Sequence, residues 1–465
     1  MTTNRRTTLA VGAALFATAA AAPAFADEVL VTQAGPAAPQ PQASAPPVQP
    51  APAAAPQPAP SPADTGGGID LFSRNTIHAL VDARLAVANG HASFIDGGFG
   101  KTRFQGDSHA DARVDGGIYE ADLIWQPRFG NALSANISGT WQRGKQRGPD
   151  LMEAFLNYLP ASKGPVRFSG RVGLMWPEIS LEHSTGGAWS AVNTITPSAI
   201  NSWVGEEVKV IGLEGTVRGS IGEQDFSATA GVFGWNDTSG TLLSFRGWSL
   251  SDIKATATGF FLLPPRNAFL NLAQANKTQN TVEIDKRPGF YVRADWHPPQ
   301  PVGVNVFYYD NAGDPEAVTK ALQWGWRTRF WNLGLNADLP GVKILAQGMT
   351  GSTIMGFPVR GQEWVHTDFS SAYLLGVHDF GKVALTGRIE AFQTREHGSL
   401  MASNNSEDGW SWTLAARAPI NKYLTGYAEI LNVQSRRGTR QTLAGPPQSP
   451  FESQTVFQLS LRAQL

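Results

Sequence analysis

From about residue 69 onward the chain reads as short stretches in which apolar and polar residues alternate, each closed by Gly, Pro, Asn or Asp. A period of two belongs to a strand with one oily and one wet face. The clearest stretch is 166–176: Val166, Phe168, Gly170, Val172, Leu174 and Trp176 share one side, Arg167, Ser169, Arg171 and Gly173 the other. Comparable stretches run over 77–86, 117–126, 132–142, 151–159, 207–219, 225–235, 289–297, 302–310, 322–333, 342–350, 370–379, 383–394, 409–418, 424–435 and 455–465, which predicts sixteen strands.

The connections sort by parity. After every even strand comes a short, turn-rich segment, such as Pro127–Asn131, Ser220–Gln224, Pro298–Pro301 or Leu339–Gly341. After odd strands come longer ones: 87–116, 177–206, 236–288, 351–369, 395–408 and 436–454. A barrel with both ends on one side of a membrane needs this alternation; a soluble sandwich does not. Aromatics such as Phe168 with Trp176, and Phe290 with Trp296, fall at opposite ends of one face. Eight residues at ~3.3 Å rise, tilted ~40°, span roughly 20 Å, near the height of a lipid-facing belt. The expected fold class is all-β, a 16-stranded antiparallel transmembrane β-barrel.

Composition narrows the setting. The chain has no cysteine, so neither a disulfide framework nor a thiolate metal site is available. A formal net charge of −1 argues against a nucleic-acid partner. Arg5 and Arg6, the apolar run Thr7–Ala22 and Ala24-Phe25-Ala26 have the layout of a cleaved signal peptide, 1–26. Residues 27–68 are rich in Pro and Ala, a composition too poor in apolar groups to fold, and are expected to be a disordered periplasmic linker. The barrel would occupy 69–465.

Thr455-Val-Phe-Gln-Leu-Ser-Leu-Arg-Ala-Gln-Leu465 resembles the terminal β-signal read by the barrel assembly machinery of Gram-negative bacteria, although such signals end in Phe or Trp. Arg167/Arg171 leading into Gly173-Leu-Met-Trp-Pro-Glu178 is similar to the strand before the third loop in phosphate-selective (O/P-type) porins. Thr196-Pro-Ser-Ala-Ile-Asn-Ser-Trp203-Val-Gly-Glu-Glu207 resembles a segment of alphaproteobacterial porin-like proteins. The resemblance implies an outer-membrane homotrimer, set in lipid and lipopolysaccharide, with an inward-folded third loop narrowing the lumen. The lysine ladder of the phosphate channels is not evident, so phosphate specificity does not follow.

In a pore, selectivity comes from charges at the constriction. The third loop is expected to supply Glu178, Glu182, Glu206 and Glu207, and inward strand positions the facing charges: Arg167, Arg171, Arg293 with Asp295, Arg327 with Arg329, and Arg388 with Glu390. The mechanism would be passive diffusion of small hydrophilic solutes, possible anion or sugar bias included, with no catalytic residue, metal or cofactor. Gly97-Gly-Phe-Gly100-Lys101-Thr102 lacks the first glycine of a phosphate-binding loop. Asp310, Asp314 and Glu316 lack calcium-loop spacing, and the histidines lack zinc spacing. Two rival readings stand beside the pore. One is a barrel lipase or protease, whose Ser/His or Asp/His groups need only meet in space. The other is a structural or adhesive barrel with a blocked lumen. The long segment 236–288, with its apolar run Phe260-Phe-Leu-Leu-Pro-Pro265, is expected to latch a neighbouring protomer, plug the barrel or pack on its own rim.

Overall fold

The computed structural model describes residues 68–145, 148–162, 164–184, 187–399 and 405–465. The expected signal peptide, and the expected linker up to residue 67, lie outside them. Sixteen strands follow one another: β1 Ile77–Ala88, β2 Arg113–Trp125, β3 Leu133–Gln142, β4 Asp150–Tyr158, β5 Arg167–Met175, β6 Val210–Ile221, β7 Gln224–Gly234 and β8 Gly289–His297. The second half comprises β9 Val302–Asp310, β10 Arg327–Leu339, β11 Val342–Met355, β12 Val365–Asp379, β13 Ala384–Glu396, β14 Glu407–Asn421, β15 Leu424–Arg437 and β16 Phe451–Gln464. Each pairs antiparallel with the next, and β16 returns to β1 in a register running from Leu80↔Gln464 to Ala88↔Val456. The cylinder is closed, which leaves its long strands no free edge.

All sixteen expected strands are present, and 289–297 and 302–310 agree end for end. The largest departure is β10, expected at 322–333. Leu322 has φ +57°, and the N–H groups of Gly325 and Trp326 donate to the loop carbonyls of Ala317 and Asp237, so pairing starts only at Arg327. The tight turns lie at one end of the cylinder. Gly222 (φ +62°) and Gly341 (φ +74°) hold two of them, in backbone conformations that cost a glycine little. The long segments 176–209 and 235–288 leave from the other end.

Polarity is inverted relative to a water-soluble protein. Leu156, Val172, Leu213, Val232, Leu333 and Leu414 are exposed on the outer face, whereas Ser138, Thr140, Asn332, Gln347, Thr386 and Gln458 are buried on the inner one. A continuous exposed apolar belt would be sticky in water and is matched only by lipid. Exposed aromatics ring both margins: Trp125 (half-buried), Phe129, Tyr158, Phe226 and Trp296 at the turn end, Trp235, Phe290, Trp331, Trp410 and Phe451 at the loop end. Among the described residues no helix is long and apolar enough to cross a membrane; the strands do the crossing.

Trp176 corrects one expectation. It is not at the lipid margin but 1% exposed, stacked on Trp189 at 4.3 Å, with Nε1 donating to the Val204 carbonyl at 3.1 Å. Strand β5 ends at Met175, so Trp176 lies beyond its alternation; within the strand Gly173, at φ +139°, lies close against β4. A Cβ there would stand 2.2 Å from the Ala154 carbonyl oxygen.

Candidate functional site

The inner wall formed by β5 to β8 gathers charges of both signs. Arg171 donates two bonds to Glu214, at 2.7 and 2.8 Å, and lies 3.7 Å from Glu178. The Tyr291 hydroxyl also donates to Glu214, at 2.8 Å. Arg293 pairs with Asp295 at 2.5 Å and donates to the Glu178 carbonyl. The i, i+2 spacing of Arg293 and Asp295 put them on one face, as period two requires.

Residues 176–208 bond to inward side chains far round the cylinder. Arg388 of β13 donates to Glu182 and to Glu390, both at 3.0 Å, and to the carbonyls of Thr196 and Pro197. Glu390 accepts the Ala199 N–H at 2.6 Å, and Glu429 of β15 accepts that of Ile195 at 2.6 Å. Gln347 of β11 donates to the Ile179 carbonyl at 2.9 Å. Helix α1, Ala199–Glu207, starts where the Ser198 hydroxyl accepts the Asn201 N–H, and every residue in it is buried. Its Trp203 lies against Phe330 and Phe369, at 5.3 and 5.2 Å between ring centres.

The segment 235–288 meets the same interior at the loop end. Arg246 pairs with Glu206 at 2.5 Å, and Glu207 accepts the N–H groups of Gly240 and Leu242 at the start of α2, Thr241–Phe245. The Ser244 hydroxyl bonds Thr367 of β12 at 2.9 Å, and Trp248 Nε1 donates to the Gln393 carbonyl of β13. Asp252 meets Arg84 of β1 at 2.6 Å and Arg103 at 3.0 Å; Lys254 pairs with Glu120 of β2. Burial pushes the Glu207 carboxyl up to about 7 and the Lys101 ammonium down to about 7. Burial would raise Asp252 as well, but Arg103 and Arg84 outweigh it and hold that carboxyl well below its ordinary range. The apolar run 260–265 packs on the barrel's own rim: Phe261, Leu263 and Leu270 join Trp324, Trp326, Met355 and Val365.

The expected charges therefore divide. Arg171, Glu178, Arg293 and Asp295 come together on one wall, and Glu182, Arg388 and Glu390 on another. Glu206 and Glu207 face the loop segment 235–288 instead of a strand. Arg167 is exposed at the turn end, in register with Arg218. Arg327 and Arg329 overturn their inward placement: they share the outer face of β10 with Trp331 and Leu333, while Thr328, Phe330 and Asn332 point in. Sequence reasoning missed Glu214, although Leu213 on the lipid side made it inward by parity. It also missed Arg246, Asp252 and Lys254, because loops carry no period.

Other motifs are spent on structure. Lys101 pairs with Glu407 and donates to the Trp248 carbonyl at 2.9 Å. Asp310 and Asp314 are drawn apart, toward Arg327 and Arg287. A different trio, Asp237, Glu283 and Asp285, lies within 4.8 Å, yet its carboxylates already accept backbone N–H groups. Ser180 and His183 touch at 2.8 Å, but that hydroxyl already accepts two N–H groups, and the ring stacks on Trp189 at 3.7 Å.

These features define the class: a closed 16-stranded antiparallel barrel of the outer-membrane porin architecture. Three solved structures show how far the likeness goes. The outer membrane channel DcaP of Acinetobacter baumannii superposes with a TM-score of 0.50 at 9% identity, over 84% of this chain and 99% of that one. A loop-deletion mutant of OmpT, an outer membrane protein of Vibrio cholerae, gives 0.47 at 9% identity, over 84% and 99%. A mutant of the Rh. blastica porin gives 0.36 at 9% identity, over 84% and 100%. At such identities the likeness concerns the fold alone. No family model matches the chain, and no curated protein does.

Proposed function

We propose that the chain is a passive channel of the Gram-negative outer membrane for small hydrophilic solutes, with its third loop as the constriction. The observation that supports this best is the uneven wetting of the inner charges. The side chains of Arg388, Glu390 and Glu182 are 0%, 1% and 2% exposed and serve as anchors. Those of Glu178, Arg171, Arg293 and Asp295 are 39%, 11%, 13% and 10% exposed and meet water. The solute path follows these wetted residues along β5 to β8. Neighbouring charges of opposite sign create a local field that orients dipolar or charged solutes, and weak contacts allow release. Export by the signal peptide, folding by the barrel assembly machinery and assembly as a trimer in a membrane containing lipopolysaccharide all belong to this reading.

Planar-bilayer recording of the purified protein tests it. Arg171→Gln is expected to move the reversal potential toward cation preference and Glu178→Gln toward anion preference. Unchanged potentials in both variants would overturn the assigned path.

The bonds between 239–256 and the inner wall favour a second reading, a barrel with a blocked lumen. Ser244 and Thr367 allow a direct comparison, because their hydroxyls are 2.9 Å apart and the chain has no native cysteine. In the Ser244→Cys/Thr367→Cys variant, conductance equal in oxidised and reduced protein supports a path beside the inserted segment. Conductance only after reduction means that the segment must leave. Silence in both states supports the blocked barrel.

A further inference from the structure

Arg84 of β1 and Arg103 of the loop 89–112 converge on one carboxylate, Asp252, which the segment 235–288 carries into the barrel. The path along β5 to β8 uses neither arginine. Arg84 Nη2 donates to Asp252 at 2.6 Å, and Arg103 Nη1 donates to both Asp252 oxygens at 3.0 Å. Tyr119 of β2 lies beneath them, its ring centre 5.5 Å from the guanidinium carbon of Arg84 and 4.8 Å from that of Arg103. Two oxygens on two cations, over an aromatic face, is the geometry of a bound carboxylate.

Two features set this apart from a plain anchor. The first is an unused pair of donors. Each edge of an arginine fork pairs Nη2 with either Nε or Nη1. In Arg84, Nη2 alone serves Asp82, at 2.7 Å, and Asp252. Its Nε and Nη1 are buried and make no hydrogen bond among the described residues. Asp252 is fixed to the chain and takes one donor of that fork, whereas a free carboxylate can turn to take two. Buried donors left unmade are costly, so the site offers a free ligand more than the tethered one receives. The second feature is charge. Among the described residues, Arg84, Arg103 and Arg462 share only Asp82 and Asp252, and Arg103 has no carboxylate within ion-pair distance except Asp252. With Asp252 withdrawn, three guanidinium groups face one carboxylate. Water reaches the edge of the site: the Asp252 side chain is 10% exposed, and that of Arg143, 5.0 Å from the same ring, 39%.

We propose that Arg84 and Arg103 form a binding site for a small monocarboxylate, that Asp252 fills it at rest as an internal ligand, and that a free carboxylate displaces Asp252 and loosens the inserted segment. Asp82, on the same Nη2, repels a second negative charge, so a carboxylate fits better than a phosphate dianion. The tether gives Asp252 a high effective concentration, which keeps the free ligand's apparent affinity low and its release fast. Loosening opens the lumen beside β1 and β2, so the use of the site rests on the channel reading above; binding and displacement do not.

The test uses full-length folded protein in detergent, with acetate as the probe and chloride at equal ionic strength as the reference. In calorimetry Asp252→Asn, which lacks the internal ligand, is expected to bind acetate at least tenfold more tightly than wild type. Adding Arg103→Gln to Asp252→Asn is expected to remove that gain, and Asp225→Asn, at an exposed turn, to keep the wild-type affinity. Should the double variant lose its heat-modifiable gel mobility, Arg103→Lys takes the place of Arg103→Gln; it keeps the charge without the fork and is expected to cut the gain at least threefold. Displacement is read in Ser251→Cys, because Ser251 is 1% exposed and the chain has no native cysteine. Acetate is expected to speed its labelling by a small neutral thiol reagent at least threefold over chloride. Equal acetate affinity in wild type and Asp252→Asn, or labelling that acetate leaves unchanged, overturns the proposal. So does tighter binding of inorganic phosphate than of acetate to Asp252→Asn, which would mark a phosphate site. Planar bilayers separate the two readings: silence alongside the expected binding and labelling sinks the channel and leaves the site standing, and conductance alongside equal affinities does the reverse.

Discussion

At the scale of single residues, the interior charges divide into anchors and wetted groups, and mutation should tell them apart. Arg388 is fully buried between Glu182 and Glu390, so Arg388→Ala leaves two buried carboxylates without their cation. Breaking such an arrangement costs about 3–5 kcal/mol. The expected result is a markedly lower midpoint for the heat-induced gel shift, whereas Arg167→Ala, at an exposed position, should leave the midpoint nearly unchanged. Glu207 gives a pH dependence. Its carboxyl, raised by burial from 4.5 to about 7, holds a proton more tightly in the folded barrel than in the free chain. It therefore stabilises the fold at acid pH, and that contribution is lost as pH rises from about 4.5 through about 7. The melting temperature of wild type relative to Glu207→Gln should fall between pH 5 and pH 7; a constant difference would show that Glu207 does not titrate there. The spacing of Arg388 and Glu390 was readable from period two. So was the outward placement of Arg327 and Arg329, since they share parity with the exposed Trp331.

At the scale of elements, every strand was legible and the loops were not. Strand patterning is local: membrane outside and water inside impose one alternation on all sixteen, and each tight turn announces itself through Gly or Pro. Gly173 marks where that locality ends. Two residues on, the strand ends at Met175, inward by the same parity as Arg171, and Trp176 enters the third loop buried. Gly173→Val combines an unfavourable φ with a Cβ 2.2 Å from the Ala154 carbonyl, so the strand end must shift. The expected outcome is a barrel that still assembles but whose third loop is cut by added protease; a resistant loop would show that α1 and its aromatic neighbours hold it without help from β5.

At the scale of the whole molecule, closure depends on β16, which bonds β15 on one side and β1 on the other. Deleting 451–465 should abolish the heat-modifiable band rather than weaken it, because an open sheet would expose two edges in lipid, where no water can satisfy them. The sequence alone determined strand number, parity of connections and which face meets lipid, since each follows from nearest neighbours along the chain and from the solvent on each side. Only the tertiary structure decided how the loops 176–209 and 235–288 meet the inner wall and which arginines are buried or wetted. Their partners lie up to 271 residues away in the chain, as Arg462 does from Ala191, and no local period carries that information.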